Sequence, residues 1–206
     1  MNFRELLLLV LVGWTAVGAV GITISLLRHE HAKAVRHSLW IIAVWALYMA
    51  VLVTVSLAKP QKVVALGKDQ CFDEMCFAVT GVQELPGYLI QDGSRLIRVS
   101  VRISNHGKKK TQSEGLIQAY LADAQGREWA ESTSVSGVRL TARVAAGDSV
   151  ISQPVFKVAK DATELRLIFT HGHRQPGVLV IGDSDSLLHK RTVVLLGQSS
   201  ITTRAR

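Results

Sequence analysis

The chain is poor in cysteine and in aromatic side chains, and it has no internal repeat. Its two cysteines, Cys71 and Cys76, leave no second ligand pair for a zinc site. Their four-residue gap is not the Cys-x-x-Cys of thioredoxin-like redox motifs. Neither has a histidine close by in sequence, which argues against a blue-copper site. Aromatics make up 6% of the chain and do not interleave with its basic residues, so the stacking platform of a single-strand nucleic-acid binder is missing. The second half contains no long amphipathic helical pattern, which disfavours a parallel α/β sheet.

Charge is missing altogether from two stretches. Leu6–Leu27 (LLLLVLVGWTAVGAVGITISLL) runs 22 residues and Ser38–Ala58 (SLWIIAVWALYMAVLVTVSLA) runs 21 without a charged side chain. Each exceeds the roughly 20 residues needed to cross ~30 Å of hydrocarbon. The sequence therefore predicts a membrane helical hairpin over 1–58, with helices at about 6–27 and 38–58 and a connector at 28–37. Val17-Gly18-Ala19 would pass as a signal-peptide cleavage site, but the apolar run continues well beyond it to Leu27. Trp14 and Trp45 need no special role in these helices, and Trp40 suits an interfacial position.

The connector Arg28–His37 (RHEHAKAVRH) carries Arg28, Lys33 and Arg36, whereas only Arg4 precedes the first helix. The positive-inside rule then predicts a cytoplasmic connector, with the N-terminus and the C-terminal domain outside the cytoplasmic (inner) membrane. Lys59, Lys62 and Lys68 oppose this, but long domains translocate largely regardless of flanking charge. His29, His31 and His37 read as a solvated interfacial loop, with a metal or pH-sensing cluster as the alternative. Ala46, Ala50, Thr54 and Ala58 recur at steps of four, a small-residue face for close helix packing, either against the first helix or against a second copy.

From residue 59 onward the chain reads as β. In Arg95–Asn105 (RLIRVSVRISN), Ile97, Val99, Val101 and Ile103 alternate with Arg98, Ser100, Arg102 and Ser104, the period of a strand with one face in a core. Further short runs lie at Lys62–Leu66, Cys76–Gln83, Leu116–Ala122, Val150–Lys157, Glu164–Thr170, Val178–Ile181 and Thr192–Leu196. Turn signals separate them at Asn105-His106-Gly107, Asp123–Gly126, Gly147-Asp148-Ser149 and Gln175-Pro176-Gly177. About seven or eight short strands at this spacing predict an antiparallel sandwich. The expected boundaries are a linker and cysteine turn at 59–75, the sandwich at 76–197 and a polar tail at 198–206.

The segments RLIRVSVRISNHGKK, LIQAYLADAQGREW, LTARVAAGDSVISQPVFKV and ELRLIF resemble, in this order, the uncharacterised bacterial telokin-like β-sandwich domains. The resemblance covers roughly residues 76–182. It rests on Asn105 in the turn after a strand, Asp123 with Gly126 in a second turn, Gly147 in a third, and Val155-Phe156 closing a strand. It implies an immunoglobulin-like fold tethered outside a bacterial membrane, and it brings no catalytic residue.

Four features could carry chemistry. Gly182-Asp183-Ser184 with His189 has the look of a hydrolase nucleophile block. However, only 22 residues follow Ser184, and a second Gly-Asp-Ser at 147–149 shows the tripeptide arising in a turn. His171-Gly172-His173 offers two ligands where a metal site needs three or four. Lys108-Lys109-Lys110 belongs to an excess of 20 Lys/Arg over 14 Asp/Glu after residue 58, suited to acidic lipid headgroups or an acidic envelope polymer. Tyr88 and Trp129 are candidates for a ligand surface or for core-edge positions.

Cys71 and Cys76 point to opposite faces of a straight strand, where five extended steps span about 17 Å, while a disulfide needs Cα atoms about 5.5 Å apart. If bridged, Phe72–Met75 must form a tight turn with Asp73 and Glu74 facing water and Phe77 and Val79 opening an inward face. An external, oxidising location favours that bridge. The expected protein is thus a non-enzymatic binding module held in the lipid bilayer. Its partner is an unidentified envelope protein or polymer, not nucleic acid, and it needs no cofactor. The alternatives are a hydrolase using Asp183, Ser184 and His189, or a metal or redox sensor centred on the cysteines.

Overall fold

The computed structural model describes residues 3–85, 93–132, 137–172, 176–183 and 185–197. The chain divides into a helical unit, Met1–Pro60 with His173–Lys190, and a sandwich unit, Gln61–Gly172 with Arg191–Arg206.

In the helical unit, α1 (Phe3–Leu27) and α2 (His31–Ala58) are 25 and 28 residues long, each long and apolar enough to cross a membrane. The connector is shorter than its polar sequence implies. Histidine, lysine and arginine support helix as well as loop, so α2 starts at His31, and the reversal is confined to Arg28–Glu30, with His29 at φ 56°. Gly18 of α1 lets Ile41 of α2 approach. Trp45 Nε1 donates to Thr15 Oγ1 at 3.0 Å, and that hydroxyl donates in turn to the Leu11 carbonyl at 2.8 Å. Leu179–Gly182 and Ser186 pack on the same helices. Val178–Ile181 is not the strand expected from its apolar run: Pro176–Leu179 is a short 3-10 helix. Val180 is buried beside Leu8, Leu11, Tyr48 and Leu52.

Among the described residues, ten strands make the sandwich unit: β1 (Val63–Val64), β2 (Asp69–Phe72), β3 (Met75–Leu85), β4 (Ser94–Asn105), β5 (Gln118–Ala122), β6 (Glu128–Ala130), β7 (Ser149–Ser152), β8 (Val155–Ala159), β9 (Arg166–Thr170) and β10 (Val193–Leu195). One sheet runs β1-β10-β9-β5-β6 and the other β2-β3-β4-β7, with β8 also on β4. Every pairing of these strands is antiparallel except β1 with β10. The fold is the expected β-sandwich behind two apolar helices, with more strands than the sequence suggested.

The differences have local causes. Pro154 has no N–H to give to a ladder, so the expected Val150–Lys157 strand breaks into β7 and β8, and the Pro154 carbonyl instead accepts from Val99 N at 3.0 Å. Val155-Phe156 therefore opens a strand instead of closing one. β1 and β2 lie inside the 59–75 segment assigned to a linker, so the sandwich begins before residue 76. The alternation in β4 holds: Ile97, Val99, Val101 and Ile103 are fully buried. They meet Ala119, Leu121, Leu167 and Phe169 of the facing sheet, where Phe77 and Phe169 sit with ring centroids 5.6 Å apart.

Candidate functional site at the disulfide end of the sandwich

β2 and β3 form a hairpin closed by Asp73 and Glu74, with Asp73 at φ 51°. Asp is among the few non-glycine residues that accept this conformation readily. The reversal sets Phe72 opposite Met75 and Cys71 opposite Cys76. The two cysteines form a disulfide with their Cα atoms 3.9 Å apart. Cys76 is 1% exposed, while Cys71 faces solvent. Phe72 fixes the hairpin on the core through edge-on contacts with Phe77 and with His171, the latter at 4.7 Å between centroids.

A second loop braces this hairpin. Asn105 ends β4 fully buried; its Nδ2 donates to the carbonyls of Lys110 and Val144, both at 2.9 Å, and its Oδ1 accepts from Gly107 N at 2.8 Å. The chain thereby loops out so that Lys108, Lys109 and Lys110 are all exposed. His106 N donates to the Glu74 carbonyl at 2.8 Å, and Gln112 Nε2 donates to the Glu74 carboxylate. His171 and Glu114 close the rim at 3.2 Å. In the sequence Asn105-His106-Gly107 marks only a turn. The asparagine two residues before a glycine was the signal for the cap, but nothing local foretold its meeting with Glu74.

His106 Nδ1 lies 3.6 Å from Cys76 Sγ. The potential ligand atoms of Cys71, Cys76 and His106 are within 4.8 Å of one another. A metal takes thiolate sulfur, which the disulfide does not supply, so this donor set belongs to the reduced protein alone.

The remaining candidates do not converge here. Trp129 lies on β6, packed on the core with the Arg127 guanidinium 5.4 Å from its ring centroid. That is the other end of the sandwich from the lysines, next to the Asp123–Arg127 turn, so Trp129 and the three lysines do not share one surface. Tyr88, Ser184 and His173 fall outside the described residues. Asp183 Oδ1 accepts from Asp185 N at 2.9 Å, which closes a turn. The connector histidines His29, His31 and His37 are exposed. Ala46, Ala50, Thr54 and Ala58 are exposed too, and α1 is met through the face bearing Ile41, Trp45, Tyr48 and Leu52. The small-residue stripe is therefore not the intramolecular packing face. The larger side chains interlock instead, around glycine on α1.

At the far end, burial works to raise the pKa of Asp123. It is outweighed by Arg127, which gives a side-chain hydrogen bond, a backbone hydrogen bond and its charge, and by Gln125 N; the carboxyl lies below the ordinary aspartate value. Arg127 Nε reaches Asp123 Oδ2 at 2.7 Å and Nη1 reaches Asp161 Oδ2 at 3.0 Å.

Among solved structures, similarity extends to an uncharacterised β-sandwich protein of Clostridium difficile, with 12% identity, 68% of this chain and 96% of the other covered, and a TM-score of 0.45. It extends also to the yjhA protein of Bacillus subtilis, with 16% identity, 65% and 98% covered, and a TM-score of 0.40. A third is the secreted protein MPT63 of Mycobacterium tuberculosis, with 12% identity, 56% and 93% covered, and a TM-score of 0.40. No curated protein matches the chain. Residues 64–175, more than half of the chain and the strands from β2 to β9, match one family profile, and the chain belongs to that family, described as a domain of unknown function (DUF4352).

Proposed function

We propose that this protein is a binding module of the cell envelope. Its helical hairpin spans the cytoplasmic membrane, and its sandwich acts outside, without catalysis. The Cys71–Cys76 disulfide supports this reading most directly, because a paired exposed and buried cysteine persists in an oxidising compartment and is reduced in the cytosol. The cationic residues Arg28, Lys33 and Arg36 at the helix connection agree with it.

Binding is assigned to the disulfide end, where Asn105 holds three exposed lysines on a fixed loop. Lysine side chains displayed this way attract an acidic envelope polymer or an acidic protein face. A homodimer through Ala46, Ala50, Thr54 and Ala58 is compatible with their outward position. The test tags each terminus and applies protease to intact cells. Degradation of the C-terminal tag together with the sandwich is expected. Protection of both would overturn the orientation and the oxidising environment together.

A further inference from the structure

The segment between β9 and β10 is the least explained part of the fold. It leaves the sandwich unit at Gly172, returns at Arg191, and packs within the helical unit. The family match stops at residue 175, short of it. Its first part, Pro176–Gly182 (PGVLVIG), contains no charge, and a leucine pair, Leu187-Leu188, follows.

The segment's contacts measure its depth along the hairpin. At the terminal end, the Gly182 carbonyl accepts from Arg4 Nη1 at 3.0 Å and from Lys59 Nζ at 3.2 Å. Gly182 has φ 72°, and a Cβ there would come within 2.7 Å of Lys59 Nζ. Slightly lower, buried Ser56 and Ser186 share a hydroxyl–hydroxyl hydrogen bond of 3.1 Å. Lower still, Tyr48 donates to the Leu179 carbonyl at 2.6 Å, and Val180 packs on Leu8 and Leu11. Tyr48 precedes Ala58 by ten residues, a drop of about 15 Å at 1.5 Å per residue.

The other end of the hairpin fixes where the hydrocarbon lies. His31, Lys33, Arg36 and His37 occupy the first two turns of α2, all exposed, and strongly resist burial in lipid. Measured upward from Ser38, about 30 Å of hydrocarbon reaches the level of Ala58. Leu179 and Val180 then lie well inside the outer leaflet.

Irregular backbone is tolerated at that depth only where its polar groups find protein partners, and five carbonyls of this stretch do. The carbonyl of Gly177 accepts from Val180 N at 3.0 Å, that of Val178 from Leu187 N at 2.9 Å, and that of Val180 from Asp183 N at 3.2 Å. The carbonyls of Leu179 and Gly182 take the side chains already named. Leu187 shares the level of Val178 through its hydrogen bond, yet it is 37% exposed and Leu188 59%. Among the described residues of the helical unit, both leucines keep an exposed side.

We propose that residues 176–183 and 185–190 belong to a re-entrant loop seated in the outer leaflet, with Val178–Ile181 against the helices and Leu187 and Leu188 against lipid acyl chains. The segment is thus a third point of attachment to the bilayer, on the far side of the sandwich sequence from the hairpin. This rests on the reading that the hairpin spans the membrane.

The test uses the full chain in liposomes of phosphatidylcholine and phosphatidylglycerol. The structure has no free cysteine, so nitroxide labels can be placed singly through Leu187→Cys, Leu188→Cys, Leu47→Cys and Lys108→Cys. Collision with oxygen, which concentrates in lipid, is compared with collision with a water-soluble nickel chelate. At Leu187 and Leu188 oxygen collision is expected to exceed nickel collision several-fold, as at exposed Leu47 on α2, with the reverse at Lys108. A lipid signature at Leu47 with a water signature at both loop positions overturns the loop proposal alone. A water signature at Leu47 overturns the spanning reading and the loop with it.

Discussion

Asn105 Nδ2 donates to the Val144 carbonyl, 39 residues further on, at 2.9 Å in a fully buried setting. The same amide holds the lysine loop through Lys110 and caps Gly107. One side chain thus joins the end of β4, the loop proposed to bind, and the segment leading into β7. Asn105→Ala would take the side-chain partner from the Lys110 carbonyl and the Gly107 N–H, and one of two donors from the Val144 carbonyl, which keeps Gln112 N at 3.0 Å; the expected cost is about 2–4 kcal/mol. Asn105→Asp is expected to be no better, since a carboxylate cannot donate to either carbonyl. Denaturant unfolding of the purified protein, followed by circular dichroism, measures both. A loss below about 0.5 kcal/mol would mean that water replaces the amide at no cost.

The disulfide closes a loop too short to constrain the unfolded chain much. Replacing Cys71 and Cys76 together with alanine is expected to cost about 2 kcal/mol and to leave the sandwich folded, because Phe72 and Phe77 still anchor the hairpin. Zinc titration of the reduced wild type provides a separate check on the three-donor set. Binding that disappears in His106→Ala would show that the cluster ligates once reduced.

How much of this was legible in the sequence differs from element to element. The alternation in β4 was readable because a half-buried strand has a period of two, and the cysteine turn was readable because chain geometry allows no other bridge. Val178–Ile181 misled because a short apolar run reports burial without reporting what buries it. The stripe from Ala46 to Ala58 misled for a related reason: side-chain size identifies a face open to close approach, not the face that is approached. Tertiary neighbours decided the rest, including Pro154 splitting one strand into two and Glu74 meeting His106.

The Asp123–Arg127 pair makes part of the sandwich's stability acid-sensitive. Asp123 has a lower pKa folded than it would have unfolded. Its contribution is therefore fully present above the ordinary aspartate range, and it is lost as pH falls through the depressed folded value. Thermal midpoints followed from neutral pH down to about 2 should fall in that acid window. Asp123→Asn should start lower at neutral pH and show a shallower acid decline. Parallel curves for the two proteins would remove Asp123 as a source of the acid sensitivity.

The contact between Gly18 and Ile41 sets how closely the two helices can pack. A Cβ on Gly18 would meet Ile41 Cδ1 at 2.8 Å and Cγ1 at 3.3 Å. The nearer atom is the tip of a side chain with rotamer freedom, so Gly18→Ala is expected to be absorbed by a small shift of Ile41. Gly18→Leu cannot be absorbed this way, because its branched end would occupy the volume of Ile41 itself and force the helices apart. That separation would also stretch the Trp45–Thr15 hydrogen bond, which lies one turn away along α1. Cysteines placed at Leu11 and Leu52, which share one buried cluster, report the spacing through a short bifunctional maleimide in the membrane-embedded protein. Cross-linking should survive Gly18→Ala and largely disappear with Gly18→Leu. It should return in part when Ile41→Ala is added, because the space that the leucine needs is the space that Ile41 fills.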